Sequence, residues 1–214
     1  MSVCVNIGCG QTPTDGWRNF DNSPALKLAK SPVKLAIVKA VGLLTKEQIE
    51  NVEWNRTHSI DFADATKELP LSTNSVSCLY TSHMFEHLSR EDGVKFLKES
   101  FRVLEVGGVI RVSVPDLSKA VDFYRASGDA NQFMETIYVT APKLDTWQQK
   151  LRLLFAGYRH HQWMYDGESL SKLMADIGFY DVSIMQPGST MMINATSLDL
   201  FERSRDSVYV EGKK

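Results

Sequence analysis

The chain has 214 residues, 43% of them hydrophobic and 23% charged, with 13 Gly and 7 Pro. These are ordinary globular proportions, which exclude wholesale disorder, collagen-like repeats and low-complexity scaffolds. A net charge of −2 offers no basic field for nucleic acid, and three cysteines without a C-x-x-C pair indicate neither a disulfide framework nor a cysteine-based zinc site.

No Pro/Gly/Ser-rich linker divides the chain, so a single domain over residues 1–214 is expected. No apolar run approaches the ~18 residues of a membrane span. The N-terminus shows no basic, apolar leader. A soluble, cytoplasmic protein is the expectation.

In chain order, Val3-Cys4-Val5-Asn6-Ile7 predicts a buried strand that stops at the turn Gly8-Cys9-Gly10. Trp17 to Asp21 predicts a second short strand. Residues 22–57 read as an insertion. It holds a helix opening at Pro32 with Val33, Ile37, Val41 and Leu44 apolar, and another opening at the capping box Thr45 to Gln48. Strands follow at His58–Phe62 and Val76–Thr81. A helix capped by Ser89 carries Val94, Leu97, Phe101 and Leu104 on one face and is expected to end at Gly107-Gly108.

Val109–Val114 predicts the next strand. Residues 116–157 read as helical, with Phe133, Met134, Ile137 and Tyr138 sharing one face and Trp147, Leu151, Leu154 and Phe155 another, and 117–157 is a second insertion. Leu170, Leu173, Met174 and Ile177 mark a last helix closed by Gly178. Strands at Asp181–Met185 and Ser197–Phe201 would form a closing hairpin. The alternation predicts an α/β fold: a Rossmann-like, doubly wound, mostly parallel sheet with a closing antiparallel hairpin.

A glycine turn after the first strand lets backbone approach a ligand at the carboxyl edge of the sheet. A dinucleotide fingerprint needs a third glycine where this chain has Pro13, which disfavours NAD. Asp21 ends the second strand, where a carboxylate can accept two ribose hydroxyls. Asp64-Ala65 follows the third, where an acid can take an adenine amine. Cys9 and Cys78 read as small core residues.

Val5 to Gly10 followed by Gly16-Trp17-Arg18-Asn19-Phe20-Asp21 resembles the opening of class I S-adenosylmethionine-dependent methyltransferases, and is especially similar to the small type 11 group. Asp64-Ala65-Thr66-Lys67-Glu68-Leu69-Pro70-Leu71, Arg102-Val103-Leu104-Glu105-Val106-Gly107-Gly108, His161-Gln162-Trp163-Met164-Tyr165 and Ile177-Gly178-Phe179 resemble that group's later segments in order. Asn6 stands where the family commonly has an acid, and Gly10 to Asp21 leaves no room for a full helix. The resemblance implies S-adenosyl-L-methionine as cofactor. It implies a binding site at Asn6, Gly8, Cys9, Gly10, Asp21, Asp64, Ala65, Ser82 and His83, with the last two beside the sulfonium. His83 and His161 are the candidate bases for methyl transfer.

His83-Met84-Phe85-Glu86-His87 also spells H-x-x-E-H, a zinc-hydrolase motif that needs both imidazoles on one helix. Here it falls between a strand and a capped helix, so no metal is expected. Glu86 and His87 read as shaping the turn.

The expected function is methyl transfer to a small-molecule or glycan-type acceptor, with the two insertions as a substrate cap. The alternatives are a cofactor- or partner-binding module without turnover and, remotely, the zinc hydrolase. Residues 22–46 hold five lysines, no acid and many apolar residues. That pattern suits a pocket cap, or, less readily, an anionic membrane surface.

Overall fold

The computed structural model describes residues 3–139, 160–193, 195 and 197–214. Seven strands make one sheet: β1 (Val3–Ile7), β2 (Arg18–Asp21), β3 (Ile60–Phe62), β4 (Val76–Ser82), β5 (Leu104–Pro115), β6 (Tyr180–Met185) and β7 (Ser207–Lys213). Their order is β3-β2-β1-β4-β5-β7-β6. The first five pair in parallel, and β7 runs antiparallel to both β5 and β6. The chain leaves β1 toward β2 and β3, then returns to β4 on β1's other side. The carboxyl ends of β1 and β4 therefore flank a topological switch point, where open α/β sheets place their ligands.

Helices are α1 (Pro24–Ala29), α2 (Pro32–Ala40), α3 (Lys46–Thr57), α4 (Arg90–Val103), α5 (Leu117–Ser127), α6 (Ala130–Ile137) and α7 (Gly167–Ile177), with a 3-10 turn at Phe85–His87. Val5, Ile7, Leu79, Ile110 and Val112 from the sheet pack with Phe96 and Leu97 of α4 and Leu170 and Met174 of α7. The opposite face is covered at Cys78, Tyr80 and Val109 by Met192 and Leu198 of an irregular segment. Among the described residues no helix is long and apolar enough to cross a membrane.

Local chemistry explains the boundaries. Thr45 and Gln48 form the reciprocal capping box that opens α3. Asp166 and Ser169 do the same for α7, and Gly178 closes it in the left-handed region at φ 119°.

Four sequence expectations are corrected. First, α4 ends at Val103 rather than at Gly107, because Leu104 is already extended at ψ 138° and begins β5. Gly107, at φ 81°, is a kink inside that strand. Second, the partner of β6 is Ser207–Lys213, and 197–201 forms no strand. Third, Val33, Ile37 and Val41 are 71%, 57% and 60% exposed, so the apolar stripe of α2 faces outward and Leu35 alone is buried. Fourth, the face expected from Phe133, Met134, Ile137 and Tyr138 is not buried in α6. The face expected from Trp147 to Phe155 lies outside the described residues.

Candidate active site

The loop after β1 is built from backbone. Gly8 and Gly10 sit at φ 73° and 53°, a conformation that favours glycine. The amides of Gly8 and Cys9 donate to the Phe20 carbonyl at 2.8 and 3.1 Å, and that of Gly10 to Asp21 Oδ2 at 3.0 Å. These three N–H groups therefore hold β2 against the loop. Open space remains at Gly10, where a side chain would meet nothing within 4 Å.

Asn6 is 2% exposed. It donates to Thr14 Oγ1 at 3.0 Å and the Thr12 carbonyl at 3.4 Å, which places it as the post that holds loop 12–14. Cys9 is buried beside Leu26 and Ile60. Burial, aided by the nearby Asp21 charge, pushes its thiol up to about 12. It is a core side chain.

Asp21 is half-buried at the end of β2. Its carboxylate also accepts from the Ser23 amide, at 2.7 Å to Oδ1. The Asp21 carbonyl takes the Ala63 amide at 3.1 Å, which draws Asp64 and Ala65 beside it. Asp64 Oδ1 accepts from the Thr66 amide and hydroxyl at 3.0 and 2.7 Å. Burial would raise its pKa, but the Thr66 hydroxyl, the Thr66 amide and Lys67 outweigh that and hold it below the usual carboxylate value.

These groups fit an adenosyl ligand on two observations. The space at Gly10 is open, and each Asp21 oxygen has lone pairs beyond the single amide it accepts.

Beyond β4, Ser82 ends the strand and His83 follows at φ 47°, left-handed for a non-glycine residue. The rest of the site mattered less in the sequence than it does in space. His83 Nε2 lies 2.8 Å from Ser207 Oγ, and its Nδ1 lies 3.4 Å from Glu86 Oε1. Glu86 is 1% exposed, in the 3-10 turn. His161, 75 residues further along, brings its Nε2 to 3.9 Å from the same oxygen, and His87 Nε2 stands equally far. Burial lowers the His161 pKa more than the Glu86 charge raises it. No sequence periodicity links residues 86 and 161. Only the doublet of H-x-x-E-H with a later H-x-W could have suggested the pairing.

His83 and His161 line a cavity of about 560 Å³, together with Asp116, Lys119, Phe123, Met164, Arg203, Arg205 and Asp206. The second insertion thus contributes to its wall through α5 and Thr136. The first insertion contributes no lining residue. Segment 22–57 instead encloses a separate cavity of about 350 Å³ between α1 and α3.

The methyltransferase-domain family matches residues 25–112. A SAM-dependent methyltransferase from Methanosarcina mazei superposes with a TM-score of 0.52 at 14% identity, covering 99% of this chain and 91% of that one. A possible histamine N-methyltransferase from Thermotoga maritima gives 0.51 at 15%, covering 100% and 83%. The methyltransferase SibL, in its apo form, gives 0.52 at 13%, covering 100% of this chain, which spans about half of SibL's length (50%). No curated protein matches in sequence.

The fold is that of class I S-adenosylmethionine-dependent methyltransferases, and residues 25–112 carry the match to the methyltransferase-domain family. Match and fold support an enzyme of this kind, with S-adenosylmethionine as its cofactor.

Proposed function

We propose that this enzyme methylates a small-molecule or saccharide acceptor seated in the cavity beside His83 and His161. The carrying observation is the cavity itself. Its volume of about 560 Å³ falls within the ~300–1,000 Å³ common for small-ligand sites. Asp116, Asp206, Lys119, Arg203 and Arg205 give it donors and acceptors suited to a polyhydroxylated ligand, and Phe123 gives it an apolar wall.

S-adenosylmethionine supplies an electrophilic methyl group. Asp21 would hold the ribose, Asp64 and Ala65 the adenine, and the Gly8–Gly10 loop the methionine portion. Ser82 and His83, at the end of β4, would stand between cofactor and acceptor. What remains for the protein is in-line placement, and in some cases removal of a proton. His83 and His161 are the imidazoles at the cavity.

The test is transfer of a labelled methyl group to a panel of hydroxylated small molecules, monosaccharides and oligosaccharides. Label on one acceptor class, lost in a folded Asp21→Ala variant, supports the reading. Tight S-adenosylhomocysteine binding without label on any acceptor would favour a binding module without turnover.

A further inference from the structure

The side chain of Glu86 is a buried carboxylate with no hydrogen-bond donor on either oxygen. A charge so placed is costly unless something positive meets it. What surrounds Oε1 is imidazole: His83 Nδ1 at 3.4 Å, His87 Nε2 at 3.9 Å and His161 Nε2 at 3.9 Å.

The protonation of two of these rings follows from their outer contacts. His87 Nδ1 lies 3.0 Å from the His160 carbonyl, and His161 Nδ1 lies 2.8 Å from the Ile137 carbonyl. A carbonyl oxygen only accepts, so both Nδ1 atoms carry a proton. In a neutral ring Nε2 is then a bare lone pair. Two such lone pairs and a carboxylate oxygen converge, with all three atoms within 4.8 Å of one another. Electron-rich groups gather this way around a cation. The outer Nδ1–H to carbonyl bonds are the contacts that orient metal-binding histidines.

The frame is built without the ion. The Glu86 carbonyl accepts from the amides of Gln162 and Trp163 at 2.8 and 3.2 Å. Gln162 Nε2 donates to the His87 carbonyl at 2.7 Å. These bonds clamp the turn after β4 to the segment before α7, so the ligands meet although they lie far apart in sequence.

We propose that Glu86, His87 and His161 bind one divalent transition-metal ion, as a two-histidine, one-carboxylate site. An ion about 2.1 Å from each ligand atom holds those atoms roughly 3–3.5 Å apart, so the present 3.9 Å spacings close by about half an ångström on binding. This is not the zinc-hydrolase pattern expected of H-x-x-E-H. His83, at φ 47° and with Nε2 turned to Ser207, stands outside the ligand set, and His161 replaces it. His161 also lines the acceptor cavity, so the ion site adjoins it. An ion there uses the lone pair that His161 would need as a base, which leaves His83 as the imidazole able to take a proton. Metal binding itself does not rest on the methyl-transfer reading.

The test titrates chelator-treated full-length protein with Zn²⁺ and, separately, Mn²⁺, following heat and melting temperature. The expected result is one site per chain with a micromolar or tighter dissociation constant for at least one of the two ions. Glu86→Gln and His87→Asn should each weaken it at least about 100-fold. His87→Asn changes the most exposed of the three side chains, 30% against 11% and 1%, and keeps the test open should the Glu86 variant not fold. No saturable uptake, millimolar uptake only, or uptake unchanged in the folded variants would overturn the proposal. S-adenosylhomocysteine titrated into the same samples separates failure here from failure of the cofactor site.

Discussion

Arg111 on β5 and Glu211 on β7 form an ion pair at 2.6 Å with both side chains fully buried. Glu211 also accepts from Thr190 Oγ1 at 2.7 Å and the Met191 amide at 2.6 Å, and Arg111 donates to the Ser189 carbonyl at 2.9 Å. The pair thus fastens the loop after β6 across the antiparallel edge of the sheet. Removing one partner leaves the other charged and buried, at a cost of about 3–5 kcal/mol. Arg111→Met and Glu211→Gln should each lower stability by that order in urea denaturation. The Arg111→Met/Glu211→Leu double variant should lose less than the sum of the two single changes.

The same pair shows where sequence reading stops. Ser-Val-Tyr-Val-Glu-Gly-Lys, the sequence of β7, carries an acid among its apolar residues. A charge argues against a buried strand until its partner, 100 residues away, is known. Gly8–Gly10, Asp21 and the capped helices α3 and α7 were legible because their signals lie within a few residues. The α4-to-β5 junction was misplaced because Gly107-Gly108 resembles a helix stop and serves as a strand kink. The Glu86–His161 meeting was invisible for the reason β7 was: it joins distant segments through side chains that each look like ordinary loop polarity.

Gly8 should tolerate no side chain. Its φ of 73° penalises any other residue, and a Cβ there would stand 2.4 Å from Met84 Cγ. Gly8→Ala should destabilise by about 1–3 kcal/mol. Adding Met84→Ala should recover the part due to the clash and not the part due to backbone strain, as read by thermal denaturation of the three variants.

Glu99 makes stability depend on pH. Its carboxylate accepts from Arg102 Nε at 2.8 Å, Arg102 Nη2 at 2.7 Å and the Leu69 amide at 2.7 Å. The Arg102 guanidinium, with help from that amide, holds its pKa below the usual 4.5. A carboxyl with a lower pKa folded than unfolded stabilises the fold above the unfolded value, and that stability is lost as pH falls through the folded one. Glu99→Gln should cost about 1–3 kcal/mol at pH 7. It should also flatten the acid limb below pH ~4.5, measured by denaturant titration at several pH values.

Asp21 has two roles that one variant can separate. Its carboxylate accepts the Gly10 and Ser23 amides, so Asp21→Asn should cost about 1–2 kcal/mol of stability. The same change should weaken S-adenosylhomocysteine at least about ten-fold, since a lost charged hydrogen bond of ~1.4 kcal/mol is one decade. Calorimetry well below the variant's melting temperature reads the second effect free of the first.

The central claim is that the carboxyl edge of β1, β2 and β4 binds the adenosyl cofactor. Calorimetric titration of the wild-type protein with S-adenosylhomocysteine tests it most directly. The account predicts one site per chain with a micromolar dissociation constant. At 100 times that concentration it predicts about 2.7 kcal/mol of added stability, visible as a higher melting temperature. Well-folded protein that shows neither heat nor a melting shift at millimolar ligand would contradict it.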